Sequence, residues 1–221
     1  MSQSTADHGY RARVLALLMR HGLGIDVARA ALRLGQELRA TTLQAAKRRR
    51  KEYAGMLDVE TGEEYGPRCE GVNDRVDIRP QLHAASGRAV VSIHTHPGSS
   101  AFSDRDAQVF LSAHTIHVLA VIGADGTWYV LSDDPAVKRD PAPLVHQVTA
   151  LYKAAADGRD ETYRALKRIG QLTSERAWQE QTHDVWEQLG PALGLRYDRV
   201  RPPEPPQRPK PAPRTSRPSR P

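Results

Sequence analysis

Cysteine is almost absent from this sequence of 221 residues, which contains only Cys69. One cysteine excludes an internal disulfide framework and a cysteine-based zinc finger, and it is typical of a reducing cytoplasm. Long hydrophobic runs are also missing: the longest apolar stretch near the start, Val14 to Met19, is too short for a membrane span and precedes no cleavage site. We therefore expect a soluble, cytoplasmic protein without a membrane partner.

Excess charge is confined to the C-terminal segment. Residues 199–221 carry seven Arg or Lys against one acid, Glu204, a balance that equals the whole formal charge of +6. The remaining residues are close to neutral in sum, so nucleic-acid binding is not indicated for the folded core.

Proline and arginine dominate residues 198–221, which contain few side chains that can bury surface. This composition favours polyproline II and predicts a disordered Pro/Arg-rich tail. Two interpretations stay open: a solvated spacer, or a segment that docks on an acidic partner or in an SH3-like groove.

The hydrophobic pattern divides the rest of the chain into three parts. Residues 1–50 have apolar side chains at three-to-four spacing, interrupted at Gly22 and Gly24, which predicts a helical N-terminal extension. Residues 51–135 contain β-type runs and one helical segment, and residues 136–197 are helical again, which predicts a C-terminal helical extension. The expected strands are 53–59, 71–78, 88–96, 116–122 and 128–131, and the expected helices after them are 144–156, 161–169 and 174–189. The predicted fold class is α/β (α+β), a mixed sheet with flanking helices.

The expected strand 88–96 contains two histidines, His94 and His96, that are separated by one residue. Side chains two apart project from the same face of a strand, so His94 and His96 present two imidazoles side by side, and Ile93 and Thr95 face away. Pro97 then ends the strand, and a small polar loop leads to the next helix.

That helix begins with Ser103 and carries Asp106 at its third position. Ser-x-x-Asp alone is an ordinary capping box, but after His-x-His-Pro and a short polar loop it indicates a third metal ligand. Two imidazoles, one carboxylate and an open position describe a catalytic zinc site, and iron is the competing metal. We expect one Zn²⁺ per chain, held by His94, His96 and Asp106.

His94-Thr95-His96-Pro97 followed by Ser-x-x-Asp resembles the signature of the JAMM/MPN+ zinc metalloproteases, a family of ubiquitin isopeptidases and their prokaryotic relatives. The resemblance covers residues 52–132. It implies that Ser103 assists the oxyanion and that a glutamate on an earlier strand is the general base. The loop from His96 to Asp106 is one residue shorter than in the family, although the Ser-x-x-Asp spacing is kept.

Five glutamates lie in residues 51–93, directly before the histidine pair: Glu52, Glu60, Glu63, Glu64 and Glu70. The family places its glutamate in a Glu-x-x-Gly-hydrophobic-Leu context, which residues 52–57 match. Glu52 is therefore the predicted base, and a surface charge is the alternative interpretation.

The resemblance implies hydrolysis of a peptide or isopeptide bond, with a peptide or the C-terminal segment of a ubiquitin-like protein as substrate. Small residues are expected next to the scissile amide, where the backbone must approach the metal. Two other functions stay open: a non-catalytic MPN-like scaffold or binding module in a larger assembly, and a metal-dependent phosphodiesterase.

Overall fold

The computed structural model describes residues 3–72, 74–137 and 141–203. Within these residues the chain is α/β, as the sequence predicts, with a six-stranded mixed sheet between helices. The helices are α1 (Gln3–Arg20), α2 (Ile25–Gln44), α3 (Arg79–Ala85), α4 (Asp104–Ser112), α5 (Pro141–Arg168) and α6 (Ser174–Ala192), with a short 3₁₀ turn at Lys47–Arg49. The strands are β1 (Tyr53–Asp58), β2 (Cys69–Glu70), β3 (Val90–His96), β4 (Ile116–Gly123), β5 (Trp128–Asp133) and β6 (Leu195–Val200).

The sheet has the order β2-β1-β3-β4-β5-β6, and β3 lies near its centre. β3 pairs in parallel with β4 and antiparallel with β1, and the other neighbouring pairs are antiparallel. A hairpin turn with Asp125-Gly126 joins β4 to β5, and Gly126 has a φ of 95°, which a glycine adopts without strain.

Apolar side chains alternate along the central strands and create two hydrophobic cores. Val118 and Val130 face α1 and α2, whereas Leu119 and Leu131 face the layer of α4, α5 and α6. This period of two is expected for a sheet that is covered on both faces. On the first face the Trp128 indole occupies the space where a β-carbon on Gly35 would lie, so α2 approaches β5 closely.

The helices of the predicted N-terminal and C-terminal extensions form the two outer layers of this fold. α1 and α2 cover one face of the sheet, and α5 and α6 contribute to the core on the other. Each of these helices therefore buries its apolar side against the strands, which is where most helix stability in proteins originates. Every helix in the described part of the chain is too short or too polar to cross a bilayer.

β6 corrects the predicted boundaries at the C-terminal end. Residues 195–197 are strand and not helix, and residues 198–200, which were assigned to the tail, pair with Val130, Tyr129 and Trp128 of β5. Charged side chains interrupt the apolar pattern of this edge strand, but Arg199 bonds Glu180 of α6 at 3.0 Å. The rest of the predicted tail, from residue 204 onward, lies outside the described residues.

Two other expectations were wrong. The predicted strand at 71–78 is a loop among its described residues: β2 ends at Glu70, and the chain turns at Val72, whose N–H donates to the Arg75 carbonyl at 2.9 Å. The predicted helices 144–156 and 161–169 form the single helix α5. The glycine between them, Gly158, costs only about 1 kcal/mol inside a helix that is packed on its neighbours.

Candidate metal centre

β3 presents the two predicted histidines on one face of the sheet. Their Nε2 atoms are 3.1 Å apart, and both residues are more than nine-tenths buried. Ile93 packs in the opposite core with α1 and α2, and the Thr95 hydroxyl lies 2.8 Å from that of Thr42 in α2. As the alternation of side chains along a strand predicts, His94 and His96 lie on one face of β3, and Ile93 and Thr95 lie on the other.

α4 brings the third predicted ligand over the end of β3. Ser103 caps the helix: its hydroxyl accepts the Asp106 N–H at 3.2 Å, and the Ser103 N–H donates to Asp106 Oδ2 at 2.7 Å. Asp106 thus completes a capping box and still reaches the imidazoles. Its Oδ1 lies 3.3 Å from His94 Nε2, and its Oδ2 lies 3.5 Å from His96 Nε2.

These three side chains fit a zinc ion. One ligand atom from each of His94, His96 and Asp106 lies within 4.8 Å of the others. Zinc–ligand bonds of about 2.0–2.1 Å in a tetrahedron put neighbouring ligand atoms roughly 3.3 Å apart. His94 Nε2 lies 3.1 Å from His96 Nε2 and 3.3 Å from Asp106 Oδ1, and the other carboxylate oxygen, Oδ2, lies 3.5 Å from His96 Nε2. Three ligands of nitrogen and oxygen also leave one coordination position for solvent, as in catalytic zinc sites.

Hydrogen bonds outside the cluster orient two of the ligands. His96 Nδ1 lies 3.1 Å from the Ser100 carbonyl oxygen, and a proton on Nδ1 leaves Nε2 as an unprotonated donor atom for a metal. Ser103 Oγ donates to Asp106 Oδ2 at 2.8 Å, which leaves Oδ1 less engaged. Such contacts around a ligand set are typical of metal sites in proteins.

The charges of the cluster favour a protonated His96 and an ionised Asp106. Burial favours the uncharged form of His96, but the Asp106 carboxylate outweighs it and raises the pKa of His96 to about 9. Burial also favours the uncharged form of Asp106, but the two imidazoles outweigh it and hold the pKa of its carboxyl well below the usual range. A metal ion must therefore displace a proton when it binds, as expected for imidazole ligands.

Glu52 lies beside the histidines because of the β1–β3 register. Ala54 is opposite His94, and extending this antiparallel pairing by two residues puts Glu52 opposite His96. Glu52 is only 5% exposed, and its Oε1 is 3.9 Å from His96 Nε2. Burial raises its pKa to about 7, although His96 and His94 oppose the shift. The other four candidate glutamates (Glu60, Glu63, Glu64 and Glu70) are exposed and do not line this pocket.

A cavity of about 210 Å³ opens over the cluster. Glu52, His94, Ser103 and Asp106 line one side of it, so four of the five residues singled out from the sequence meet in one pocket. The other side is formed by the loop at 74–78 and by α4. The role of this loop was not anticipated, because its sequence was interpreted as a strand.

α6 holds the loop that joins the histidines to Asp106. Gln179 donates to the Gly98 carbonyl at 3.5 Å, Thr182 Oγ1 accepts the Ala101 N–H at 3.1 Å, and Trp186 Nε1 donates to the Phe102 carbonyl at 2.7 Å. Three side chains at 179, 182 and 186 lie on one helical face, so one helix holds the loop at three points. No local signal marks these residues, since the contacts join positions more than 80 apart in sequence.

A second group of three potential ligands lies on α6: His183, Asp184 and Glu187. Its members already have partners, because His183 Nδ1 is 2.9 Å from the Tyr197 hydroxyl and Tyr163 donates to Asp184 at 2.5 Å. The Glu187 side chain is 63% exposed, and Glu187 is not among the residues that line the pocket of the first group. This group has the character of a hydrogen-bonded helix surface.

A serine, a histidine and an aspartate also meet behind the sheet. His21 Nδ1 is 2.8 Å from Ser132 Oγ, and His21 Nε2 is 3.2 Å from Asp198 Oδ2. The order matches a nucleophilic triad, but Ser132 is 4% exposed and the His21 side chain is completely buried, so a substrate has no access. The three residues instead join the end of α1 to β5 and β6.

No model of a known protein family matches the chain, and neither does any curated protein or solved structure. What the chain does must therefore be inferred from the residues of the site.

Proposed function

We propose that the chain is a zinc-dependent hydrolase of the JAMM/MPN type that cleaves a peptide or isopeptide bond. One observation carries the proposal: the buried Glu52 carboxyl lines the same pocket as His94 and Asp106, and its Oε1 lies 3.9 Å from His96 Nε2. A burial-raised pKa near 7 suits a group that must accept a proton and later return it at neutral pH.

Zinc held by His94, His96 and Asp106 would lower the pKa of a water molecule to about 7 and polarise the substrate carbonyl. Glu52 would accept a proton from the water as its oxygen bonds to the carbonyl carbon. The same carboxyl would then give this proton to the amide nitrogen while the C–N bond breaks, which leaves a carboxylate and an amine.

Ser103 has two roles in this proposal. Its hydroxyl orients Asp106 in the resting protein, where it donates to Oδ2 at 2.8 Å. Rotation of the hydroxyl toward the pocket, which it also lines, would let it donate to the oxygen that gains charge when water attacks.

The site favours amide hydrolysis over the two other functions, a non-catalytic scaffold and a phosphodiesterase. A scaffold has no need of a buried glutamate beside a complete ligand set, because burying an ionisable group is costly. A phosphodiesterase would use the histidines equally well. The position of Glu52 and the Ser-x-x-Asp start of α4, however, match the JAMM/MPN+ signature, which belongs to enzymes that cleave amides.

Glu52→Gln tests the proposal, with Glu64→Gln as the matched control on the exposed surface. Both proteins are loaded with zinc and assayed on a mixed peptide library, on a lysine-linked isopeptide and on a phosphodiester. We expect wild type and Glu64→Gln to cleave amides, and Glu52→Gln to bind zinc but lose at least about a hundredfold in rate, the usual contribution of general acid–base catalysis. The proposed amide hydrolysis would be excluded if the protein cleaved only the phosphodiester, or if wild type, Glu52→Gln and Glu64→Gln cleaved amides at the same rate.

A further inference from the structure

The pocket over the metal ligands continues into an apolar groove along α4. Val76, Ile78, Val109 and Leu119 line the 210 Å³ cavity together with His94 and Asp106. The charged residues Asp74, Arg75 and Arg105 also line it. An adjoining cavity of about 480 Å³ shares Val76, Ile78 and Val109 and extends to Leu82 and Ala113. The two cavities lie side by side along α4 and share these three walls, and we call them together the trough.

We infer that this trough selects substrates with a large apolar side chain next to the scissile amide. The inference rests on the proposed amide hydrolysis and adds the substrate class. It differs from the small residues that the sequence alone suggested.

The size of the two cavities supports a bulky side chain. A cavity of roughly 150 Å³ is sufficient to bind benzene, so the apolar parts of the two cavities, of about 210 and 480 Å³, have room for a leucine or phenylalanine side chain beside the amide. Glycine or alanine would leave most of that space without contacts, and each buried methylene contributes about 0.8 kcal/mol when it leaves water.

The walls of the trough are already partly exposed to solvent. Val109 is 38% exposed although it is a β-branched apolar residue on a helix, and Val76 and Ile78 are half-buried. A side chain that covers them gains burial without moving the core. Since the same cavity contains Glu52, His94 and Asp106, the molecule that fills it is positioned for the reaction.

The length of the trough fits an extended peptide. From Asp106 to Ala113 the helix rises about 10 Å, which equals about three residues of extended chain at 3.3 Å each. The C-terminal segment of this chain is a poor occupant, because residues 204–221 contain no Leu, Ile, Val, Met or aromatic residue. A separate polypeptide is the occupant we propose.

The test varies one residue in a set of capped nonapeptides that are otherwise made of alanine and serine. The central residue is Gly, Ala, Leu or Phe, and products are identified by mass spectrometry. For the zinc-loaded wild-type protein we expect kcat/KM for Leu and Phe to exceed that for Gly by about tenfold or more, with cleavage next to the variable residue.

Two substitutions at Val109 test the pocket itself. Val109→Phe fills the cavity and should reduce the Leu-to-Gly ratio toward one, whereas Val109→Ala enlarges it and should shift preference from Leu to Phe. Val137→Phe is the matched control, since Val137 is 45% exposed and does not line either cavity. This control should keep the wild-type ratio.

The outcomes separate this inference from the proposed function. If wild type cleaves peptides and Glu52→Gln does not, but Gly and Leu peptides react equally fast, the apolar selection is wrong and the hydrolase proposal stands. The selection is also wrong if neither Val109 variant moves the ratio. If no peptide is cleaved, or Glu52→Gln cleaves as fast as wild type, the proposed function itself fails.

Discussion

Thr182→Val should loosen the loop that carries the metal ligands, although Thr182 touches none of them. Thr182 is 2% exposed, and its hydroxyl accepts the Ala101 N–H at 3.1 Å in the middle of the loop. Valine has nearly the same shape but no acceptor. The Ala101 N–H would then stay buried without a partner, at a cost of about 1–3 kcal/mol.

The expected thermal effect follows from that energy. In a protein of this size, 1 kcal/mol shifts Tm by about 2–4 °C, so Thr182→Val should lower Tm by roughly 2–12 °C. The loop connects His96 to Asp106, and its ordering contributes to metal binding. We therefore expect Thr182→Val to bind zinc more weakly. Each ~1.4 kcal/mol by which the substitution destabilises the zinc-bound protein relative to the zinc-free protein raises Kd tenfold.

The assay combines thermal unfolding with zinc titration of wild type, Thr182→Val, Thr182→Ser and Thr41→Val. Serine keeps the acceptor and should restore zinc affinity. Thr41→Val makes the same change on the exposed side of α2, where the hydroxyl bonds only its own helix, and should have little effect. Equal zinc affinities for Thr182→Val and Thr182→Ser would refute the idea that α6 positions the loop.

Three further predictions concern the metal, the acid range and the chain end. Saturating zinc should raise the Tm of wild type but not that of His96→Ala. At a thousandfold excess of zinc over Kd, binding stabilises the folded protein by about 4 kcal/mol. An equal rise of Tm in both proteins would place the metal elsewhere. The Tyr65 hydroxyl, backbone N–H groups and Arg88 lower the pKa of Asp58 to about 2 from 3.8, so its stabilisation is complete above pH 3.8 and is lost toward pH 2. Urea unfolding of Asp58→Asn should thus differ from wild type at pH 7 and converge with it near pH 2; a constant difference would contradict this. Removing residues 198–221 should lower Tm more than ending the chain at 203, because only the first deletion takes residues from β6; equal Tm values would mean that this pairing contributes nothing.

The cluster of three candidate metal ligands could be predicted from the sequence because its signals are local. Alternation puts His94 and His96 on one strand face, Pro97 ends the strand, and Ser103 starts a helix that carries Asp106, all within 13 residues. Glu52 needed a different kind of information. Its position depends on the antiparallel register of β1 and β3, which no periodicity determines, and the resemblance to a family motif supplied it.

Other parts of the fold depend on contacts that are distant in sequence. The six residues of β6 contain three charged side chains and precede a proline-rich segment, so their strand character appears only when β5 provides hydrogen bonds and Glu180 provides a partner for Arg199. The expected strand 71–78 contains the β-branched residues Val72, Val76 and Ile78, but residues 74–76 and 78 line the pocket as part of a loop. Local propensity is a weak guide for strands, because pairing and burial decide their energy.

The central claim is that amide hydrolysis depends on one zinc ion at His94, His96 and Asp106. The most direct measurement is a zinc titration of the chelator-treated protein in which zinc content and peptide hydrolysis are followed on the same samples. We predict no hydrolysis before zinc is added and full recovery at one equivalent per chain, with no recovery for Asp106→Ala. Hydrolysis at the original rate in zinc-free protein, or full recovery in Asp106→Ala, would contradict the account.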